Sequence, residues 1–466
     1  MILPLWLALA FVFCVGAKSA HAADVSAPVY KSERCCELCP EVRDASRYDT
    51  KFLKGFSVLV AGEGDWLFRS QDFRTAFDLS KYGQRRLQQL HGVFAHHGIE
   101  VVLVHPPTRA LVHRGKVAAP ELAGFDFNLA LANYKALLAR FSKIGFHVPD
   151  LSLFVDEHEE QTPFYFHADT HWTPYGAQRT AKVVADAIHR LPAFSSIGRR
   201  EFVTRITGRM GLSIRPAMRK AVDQICGTSH AQEYADYFVT EPKYASGGDD
   251  LFGDSTIPQI VLVGTSYSGL AYNFAGFLQE YLGADVLNTA VPGGGLEGAM
   301  VEYLGSDEFR RMPPKILVWE FPRIHDLDMD SVYRQLFALL DGGCDNKVML
   351  LSGKALLRPG KQEVLLNSAA NMFTNREARM EIRFADTSVK KLSANFLYMN
   401  GRHESLELEK PAWRDTNGRF VFDLREDGDW AGLTLLSVEL EGPEAGSGPQ
   451  EVELRVCRRK TVDARR

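Results

Sequence analysis

The chain has 466 residues, of which 45% are hydrophobic and 24% are charged, as in ordinary globular proteins, and it is long enough for two or three domains. Its formal net charge of −4 argues against a general nucleic-acid-binding protein, although a local basic patch can still bind an acidic substrate. Any chemical function must therefore be carried by particular motifs.

An apolar run, Leu5–Val15, lies close to the amino terminus and is too short to span a bilayer comfortably. Lys18 and a group of small residues that ends at Ala22 follow it. We predict that residues 1–22 are a cleaved secretory signal peptide, with an uncleaved anchor as the alternative. Cys14 lacks the sequence context of a lipoprotein signal. We expect the mature protein to act outside the cytoplasm.

Helical and strand-like patterns alternate from about Ser57 to Leu340. In chain order the predicted elements are helix Leu79–His97, strand Ile99–Val104, helix Leu129–Ile144, strand Leu151–Val155, a helix that starts at Pro174, strand Ile260–Val263, helix Leu270–Leu282, strand Val286–Ala290, helix Leu296–Leu304, strand Ile316–Trp319 and helix Val332–Leu340. This alternation predicts an α/β domain with a mostly parallel sheet and helices on both faces. Residues from about 197 to 254 are less regular, and we interpret them as an insertion or a long surface excursion.

The pattern changes after Gly343, where short runs that alternate polar and apolar residues are separated by turn residues. The predicted strands are Val348–Leu351, Glu363–Leu366, Arg379–Phe384, Ser393–Met399, Ser405–Leu408, Arg419–Leu424, Leu433–Leu440 and Glu451–Val456. Several short strands at this spacing predict an all-β sandwich.

Six cysteines follow Cys14, and an even number in an exported protein indicates disulfides. They are Cys35, Cys36, Cys39, Cys226, Cys344 and Cys457. Cys344 and Cys457 bracket the last part of the chain, as a bond that closes a C-terminal domain would. Cys226 would then pair with one of the N-terminal group, and we prefer Cys39. A metal or redox cluster at residues 35–39 is the alternative, but no histidine or fourth cysteine lies nearby, so we predict no metal site.

Ser266 lies shortly after the predicted strand Ile260–Val263, on the far side of Gly264. Enzymes of the α/β class present a nucleophile at this edge of the sheet, and a helix that begins there would supply N–H groups to a developing oxyanion. The sequence departs from a nucleophile elbow because Ser268 stands where the second glycine would be. An N-cap serine without catalytic function is the alternative interpretation.

Asp169 and His171 precede the helix that starts at Pro174. Residues two apart in an extended loop point the same way, so the carboxylate can hold one imidazole nitrogen while the other faces a serine. The alternatives are a capping aspartate beside a packed histidine, or a metal pair whose third ligand is not apparent. The joint occurrence with Ser266 favours a Ser-His-Asp triad in an acyl-transfer enzyme.

Three motifs in this chain resemble those of the AlgX/AlgJ family of alginate acetylation proteins. They are Gly64–Phe68, Asp169–Thr173 with the following Gly176, and Gly264–Ser268. The resemblance covers nearly the whole chain, because some members of the family carry a C-terminal β-domain and others lack it.

The resemblance implies an SGNH-hydrolase-like acetyltransferase domain at residues 23–342 and a carbohydrate-binding β-sandwich module at residues 343–466, with no cofactor. It assigns Ser266 as the nucleophile, His171 as the base and Asp169 as the carboxylate that orients the base. The order of these residues is permuted relative to ordinary SGNH enzymes, and the usual Gly-x-Asn-Asp block is absent.

The permuted order leaves the oxyanion donors open beyond the Ser266 N–H, with Asn288 and Gly293–Gly295 as candidates. Tyr272 resembles a tyrosine of the family site, and core packing is its alternative role. Arg323 follows a predicted strand on the active-site edge, where it would either contact substrate or pair with Glu320.

A polyuronate substrate requires cations and flat apolar surfaces, and arginine can pair with a carboxylate through two hydrogen bonds. The C-terminal candidates are Lys390, Lys391 and Arg402, which we prefer, with Arg379, Arg383, Phe396, Tyr398 and Trp413. For each charged residue the alternative is an ordinary solvated position, and for each aromatic residue it is the core.

The predicted function is that of a periplasmic alginate O-acetyltransferase, which moves acetyl groups to mannuronate hydroxyls through an acetyl-serine and also binds the polymer during synthesis and export. A membrane partner would supply the acetyl group, because acetyl-CoA is not expected outside the cytoplasm, and other proteins of the biosynthesis and export complex would be partners. A secreted carbohydrate acetylesterase and a non-catalytic polysaccharide-binding scaffold are the alternatives.

Overall fold

The structure is a computed structural model that describes residues 38–118, 124–155, 162–211, 217–229, 233–243, 257–322, 325–410, 417–444, 446 and 448–459. The predicted signal peptide, Cys35, Cys36, Arg323 and Trp413 lie outside these ranges. Within them, no helix is both long enough and apolar enough to cross a membrane.

The N-terminal part of the chain alternates helices and strands as predicted. The strands are β1 (Leu59–Ala61), β2 (Leu67–Arg69), β3 (Glu100–Val104), β4 (Phe202–Gly211), β5 (Tyr234–Pro242), β6 (Ile260–Val263), β7 (Val286–Asn288) and β8 (Ile316–Glu320). The helices are α1 (Lys51–Lys54), α2 (Lys81–His96), α3 (Arg109–Val112), α4 (Phe127–Ile144), α5 (Pro174–Ile188), α6 (Ala217–Cys226), α7 (Phe274–Leu282), α8 (Gly298–Leu304), α9 (Asp307–Arg311) and α10 (Asp330–Leu340).

A parallel sheet with the strand order β3-β8-β6-β7 forms the centre of this domain. All four residues of β6 are completely buried, which explains its uninterrupted apolar sequence, since parallel strands are covered on both faces. Helices α2 and α5 contact β3, α8 contacts β6, and α7 contacts β7. The carboxyl ends of β3, β6 and β8 therefore meet at one edge, where α/β sheets bind ligands.

Two of the predicted elements were wrong in detail. Residues Leu151–Phe154 form a 3-10 helix rather than a strand, because the Asp150 side chain accepts hydrogen bonds from the Ser152 N–H and hydroxyl and closes a turn. The predicted helix over residues 270–282 is interrupted at Asn273, which has a left-handed φ of 53°. Helix α7 begins only after this residue.

Residues 197–254 include an excursion outside the central sheet, as predicted, but the excursion is more regular than expected. Strands β4 and β5 pair antiparallel and contact α7. Helix α6 lies between them in sequence and packs in a separate small core with Val42 and Leu53 of the N-terminal segment. A disulfide joins Cys39 to Cys226, the last residue of α6, and so ties the two segments together.

Among the described residues of the C-terminal part of the chain, eight strands are present and all match predicted runs. They are β9 (Met349–Leu357), β10 (Lys361–Leu366), β11 (Ala378–Phe384), β12 (Lys391–Tyr398), β13 (His403–Glu409), β14 (Arg419–Asp423), β15 (Leu435–Glu441) and β16 (Gln450–Arg458). They form two antiparallel sheets, in the orders β10-β15-β12-β13 and β14-β11-β16-β9, around one apolar core. A second disulfide joins Cys344 to Cys457 of β16.

Buried ion pairs join α10 to the C-terminal sheets. Arg334 of α10 donates to the Asp423 carbonyl at 2.7 Å and pairs with Glu404. Arg379 bridges Asp423 and Asp341, each at 2.7 Å. Arg379 is therefore a structural residue at the junction and not a polymer-binding cation.

Three other C-terminal residues considered for polymer binding are also buried or paired. Phe396 and Tyr398 are completely buried in the sandwich core, and Arg383 pairs with Glu381 and Asp345. The aromatic residues follow the alternation of their strand, which places them on its inner face.

Candidate active site

The turn that carries Ser266 follows β6 directly. Thr265 caps a short 3-10 helix, Ser266–Ser268, by accepting a hydrogen bond from the Tyr267 N–H. The expected α-helix does not begin here, and Ser266 is not the N-cap, so an α-helix dipole is not available to an oxyanion at this point. A side chain at Gly264 would bring its Cβ within 2.4 Å of the Ser268 hydroxyl oxygen, which explains the glycine.

Glu320 lies beneath this turn at the carboxyl end of β8 and is 1% exposed. Its carboxyl group accepts hydrogen bonds from the Thr265 N–H at 2.8 Å, the Thr265 hydroxyl at 3.1 Å and the Ser268 hydroxyl at 3.0 Å. Burial raises the pKa of Glu320 to about 7, against the opposing effect of these hydrogen bonds. One buried carboxyl group from the neighbouring strand thus holds both ends of the Ser266 turn.

A chain of hydrogen bonds links the three predicted residues. The Ser266 Oγ lies 2.7 Å from the His171 Nε2, and the His171 Nδ1 lies 2.5 Å from the Asp169 Oδ1. The carboxylate also accepts the His171 N–H at 3.0 Å. Because the carboxylate accepts from Nδ1, Nε2 is left to accept the serine proton, which is the arrangement that a serine nucleophile requires.

The remaining oxygen of Asp169 is held by a helix that the sequence patterns did not predict. The Ala217 N–H, the first of α6, donates to the Asp169 Oδ2 at 2.6 Å, and a helix N-terminus stabilises negative charge. Burial by itself would raise the pKa of Asp169, but His171 and the hydrogen bonds from Ala217 and His171 outweigh it, so the pKa lies well below the usual range. Asp169 is therefore a fixed anion at neutral pH.

Arg109 organises the loop that carries Asp169 and was missed by the sequence reasoning. Its guanidinium is 1% exposed and donates to four backbone carbonyls, those of Leu67, Phe166, His167 and Asp169, at 2.7 to 3.0 Å. A buried arginine on α3, forty residues or more from its partners in sequence, leaves no local pattern.

Aromatic rings enclose the histidine. Tyr272 stacks on His171 with ring centroids 5.1 Å apart and an interplanar angle of 21°, so the structure brings this predicted residue to the site. Tyr267 donates its hydroxyl to the Thr170 carbonyl at 2.5 Å, and its own carbonyl accepts the buried Trp172 indole N–H at 2.8 Å. These contacts fix the Ser266 turn and the His171 loop against each other.

A cavity of about 260 Å³ opens beside Ser266 at the carboxyl edge of the sheet. Residues that follow β3, β6 and β8 line it, together with Arg69, Gln71, Asp72 and Arg74, and with two of the glycines considered as oxyanion donors, Gly293 and Gly295. Within the part of the chain that is described, the Ser266 N–H donates to no protein acceptor, so it is available to an oxyanion. The Asn288 amide donates instead to the Ser268 carbonyl at 2.9 Å and supports the turn.

The three preferred C-terminal cations are not brought together. Lys390 is half-buried and Lys391 is exposed at the start of β12, whereas Arg402 follows the other end of this strand and lies 3.5 Å from Asp429. A strand of this length spans roughly 23 Å. These residues cannot form one compact site, although a long polymer could contact both ends.

Among the residues that the structure covers, no three His, Cys, Asp or Glu side chains are grouped as metal ligands.

Two family models match this chain. That of the SGNH hydrolase-like domain of acetyltransferase AlgX matches residues 59–323, and that of the C-terminal carbohydrate-binding module CBM_26 matches residues 343–466. Together with the parallel sheet and the two antiparallel sheets, these matches confirm the predicted SGNH-hydrolase-like α/β domain followed by a carbohydrate-binding β-domain.

Similar proteins give the same picture. The chain is 51% identical to the alginate biosynthesis protein AlgX of Pseudomonas putida over 95% of this chain and 93% of that one. It is 30% identical to the probable alginate O-acetylase AlgJ of Pseudomonas aeruginosa, over 59% of this chain and 71% of that one. A solved structure of Pseudomonas aeruginosa AlgX superimposes with a TM-score of 0.84 at 44% identity and covers 91% of this chain and 100% of that chain.

Proposed function

Because the chain belongs to the AlgX family, we propose that it is an O-acetyltransferase that moves acetyl groups onto mannuronate hydroxyls of alginate in the periplasm. The observation that carries the proposal is the hydrogen-bonded chain from Ser266 through His171 to Asp169, at the carboxyl edge of the sheet. The similarity to a probable alginate O-acetylase supports the choice of reaction.

In the first step, His171 Nε2 takes the proton of the Ser266 hydroxyl as Oγ attacks the carbonyl carbon of an acetyl ester. The negative charge that develops on the carbonyl oxygen is met by the Ser266 N–H, with the Gly293 and Gly295 N–H groups as further candidates in the same cavity. The bond to the donor alcohol then breaks, the alcohol leaves with the proton held by His171, and Ser266 remains acetylated.

In the second step, His171 takes the proton of a mannuronate hydroxyl, whose oxygen attacks the acetyl carbonyl of Ser266. The ester bond to Oγ breaks, and Ser266 recovers its proton from His171. Asp169 keeps its negative charge throughout and stabilises the imidazolium that forms in each step. The sugar must compete with water at the acyl-enzyme, so it must be held in position beside Ser266.

The rest of the chain fits a role on a polymer outside the cytoplasm. The C-terminal carbohydrate-binding module would retain the polymer near the active site, with Lys390, Lys391 and Arg402 as contacts along its length. The disulfides suit an oxidising compartment, and residues 1–22 would direct export. A membrane partner would deliver the acetyl group, and the protein would work with other members of the alginate biosynthesis and export complex.

Incubation with an activated acetyl ester, with and without mannuronate oligomers, tests the proposal. Acetylated oligomer from the wild type, and none from Ser266→Ala, is the expected result. Free acetate as the sole product in the presence of oligomers would mean an esterase. Polymer acetylation that persists in cells carrying Ser266→Ala would mean a polysaccharide-binding scaffold whose acetylation is done elsewhere.

A further inference from the structure

The cavity beside Ser266 carries an excess of positive charge. The ionised side chains that line it are Arg69, Arg74, Arg109 and Asp72. Asp72 lies 3.2 Å from Arg69 and 3.7 Å from Arg109, and both terminal nitrogens of Arg109 donate to backbone carbonyls. Over the described residues, the half-buried Arg74 side chain has neither an ion pair nor a hydrogen bond. No described side chain therefore pairs with its charge.

His105 places a hydrogen-bond acceptor in the same cavity. Its Nδ1 donates to the Phe321 carbonyl at 2.8 Å, so the second nitrogen, Nε2, carries a lone pair. Burial, and to a smaller extent the positive charge of Arg74, lower the pKa of His105 to about 4 against the effect of this hydrogen bond. His105 thus stays neutral at physiological pH and can accept a hydrogen bond from a hydroxyl group while Arg74 binds an anion.

We propose that Arg74 is a specificity-determining residue that binds the carboxylate of the uronate ring whose hydroxyl attacks acetyl-Ser266, while His105 accepts a hydrogen bond from another hydroxyl of that ring. A planar guanidinium can meet a carboxylate with two hydrogen bonds, which orients the ring as well as binding it. The inference rests on the proposed acetyl transfer and identifies which part of this chain distinguishes a charged sugar from a neutral one.

The sugar that accepts the acetyl group suits the cavity beside Arg74 better than the acetyl donor does, for two reasons. An acetyl group is uncharged and small, so it leaves Arg74 without a counter-charge, whereas each uronate unit carries one carboxylate. The cavity has room for roughly nine water molecules, which suits one sugar ring beside Ser266, with the rest of the polymer outside. A positive cavity with low-dielectric walls also concentrates anionic ligands.

The test compares Arg74→Gln with the wild type in the two half-reactions separately. The first measurement is the rate at which a neutral activated acetyl ester acetylates Ser266. The second is kcat/KM for transfer to mannuronate oligomers, and the third is the same quantity for oligomers of equal length whose carboxylates have been reduced to alcohols. Arg311→Gln on α9, whose side chain is 75% exposed, is the matched control for the loss of one positive charge.

Arg74→Gln is expected to acetylate Ser266 within about twofold of the wild-type rate but to lose at least about 10-fold in kcat/KM toward mannuronate oligomers, mainly through KM. The reduced oligomers should react equally with both proteins.

Equal losses on both acceptors, no loss on either, or slow acetylation of Ser266 would overturn the inference. If Arg74→Gln does not fold, Arg74→Lys replaces it, because lysine keeps the positive charge but cannot form two parallel hydrogen bonds. This variant should show a smaller loss of kcat/KM, confined to the charged oligomers. A loss that is equal for charged and reduced oligomers would overturn the inference. A wild type that never acetylates Ser266 would instead refute the proposed function itself.

Discussion

Replacement of Glu320 by glutamine tests whether the buried carboxyl group beneath the Ser266 turn has a raised pKa. The buried carboxyl group accepts from the Thr265 N–H and from two hydroxyls, and burial raises its pKa from 4.5 to about 7. When it is protonated, it can still accept the N–H through its carbonyl oxygen and donate to a hydroxyl, and glutamine reproduces this pattern. Glu320→Gln therefore imitates the protonated protein at every pH.

The magnitude follows from the difference in pKa between the folded and unfolded chain. Below pH 4.5 the group is protonated in both states, and its contribution to stability is fully present. As the pH rises through 7 that contribution is lost, because the unfolded chain ionises more easily than the folded one. One pKa unit corresponds to about 1.4 kcal/mol, so the wild type should lose about 3 kcal/mol relative to Glu320→Gln between pH 4.5 and pH 8.

Thermal unfolding at one heating rate and several pH values between 4.5 and 8 measures this difference. The Tm of Glu320→Gln relative to the wild type should rise by about 5 °C over the range for a domain of this size. Glu439→Gln, at an exposed position on β15, is the control and should stay parallel to the wild type. A Glu320→Gln curve that also stays parallel would refute the reasoning about this carboxyl group.

Three further substitutions test other parts of the account. Asp169→Asn should slow acetylation of Ser266 by about 10³- to 10⁴-fold in single-turnover kinetics, because the amide no longer holds the required imidazole tautomer. Arg109→Met should lower the free energy of unfolding by about 3–5 kcal/mol in thermal or denaturant unfolding, because four carbonyls lose their donor. Replacing Cys344 and Cys457 together by serine should destabilise the C-terminal domain by up to about 5 kcal/mol by calorimetry, since the bond closes a loop of 113 residues.

Each of these expectations has a contradicting result. A wild-type rate of acetylation in Asp169→Asn would remove the orienting role of that carboxylate. An Arg109→Met protein that unfolds at the wild-type temperature would mean that its four carbonyls find water or other donors. If calorimetry shows the same stability for the C-terminal domain without the disulfide, the sandwich core and the buried arginine pairs suffice to hold it.

The sequence predicted the framework of the fold because apolar periodicity decides which residues enter the core. Strand Ile260–Val263 and the helix that starts at Pro174 were correct, since a completely buried strand and a proline at the first helical position leave strong patterns. The interruption at Asn273 was missed because its hydrogen bond to Thr240, at 2.9 Å, is a tertiary contact that local propensity does not contain.

In the candidate site, some contacts could be predicted from neighbouring residues in the sequence and others could not. Asp169 and His171 are two residues apart, so their pairing was open to sequence reasoning. Arg109 and the Ala217 N–H reach the site from distant elements, and nothing next to them in sequence indicates that they do. Glu320 was expected at the active-site edge, but its contact with the Ser266 turn was not predicted. The groups that hold the reactive residues in place therefore required the three-dimensional structure.

The most direct test of the central claim is mass spectrometry of the peptide that contains Ser266 after brief incubation with an activated acetyl ester. The wild type should carry one acetyl group on Ser266, and the signal should disappear when mannuronate oligomers are added. His171→Ala should remain unmodified under the same conditions. Equal acetylation of Ser266 with and without His171, or an acetyl group found only on other residues, would contradict a nucleophilic serine activated by this histidine.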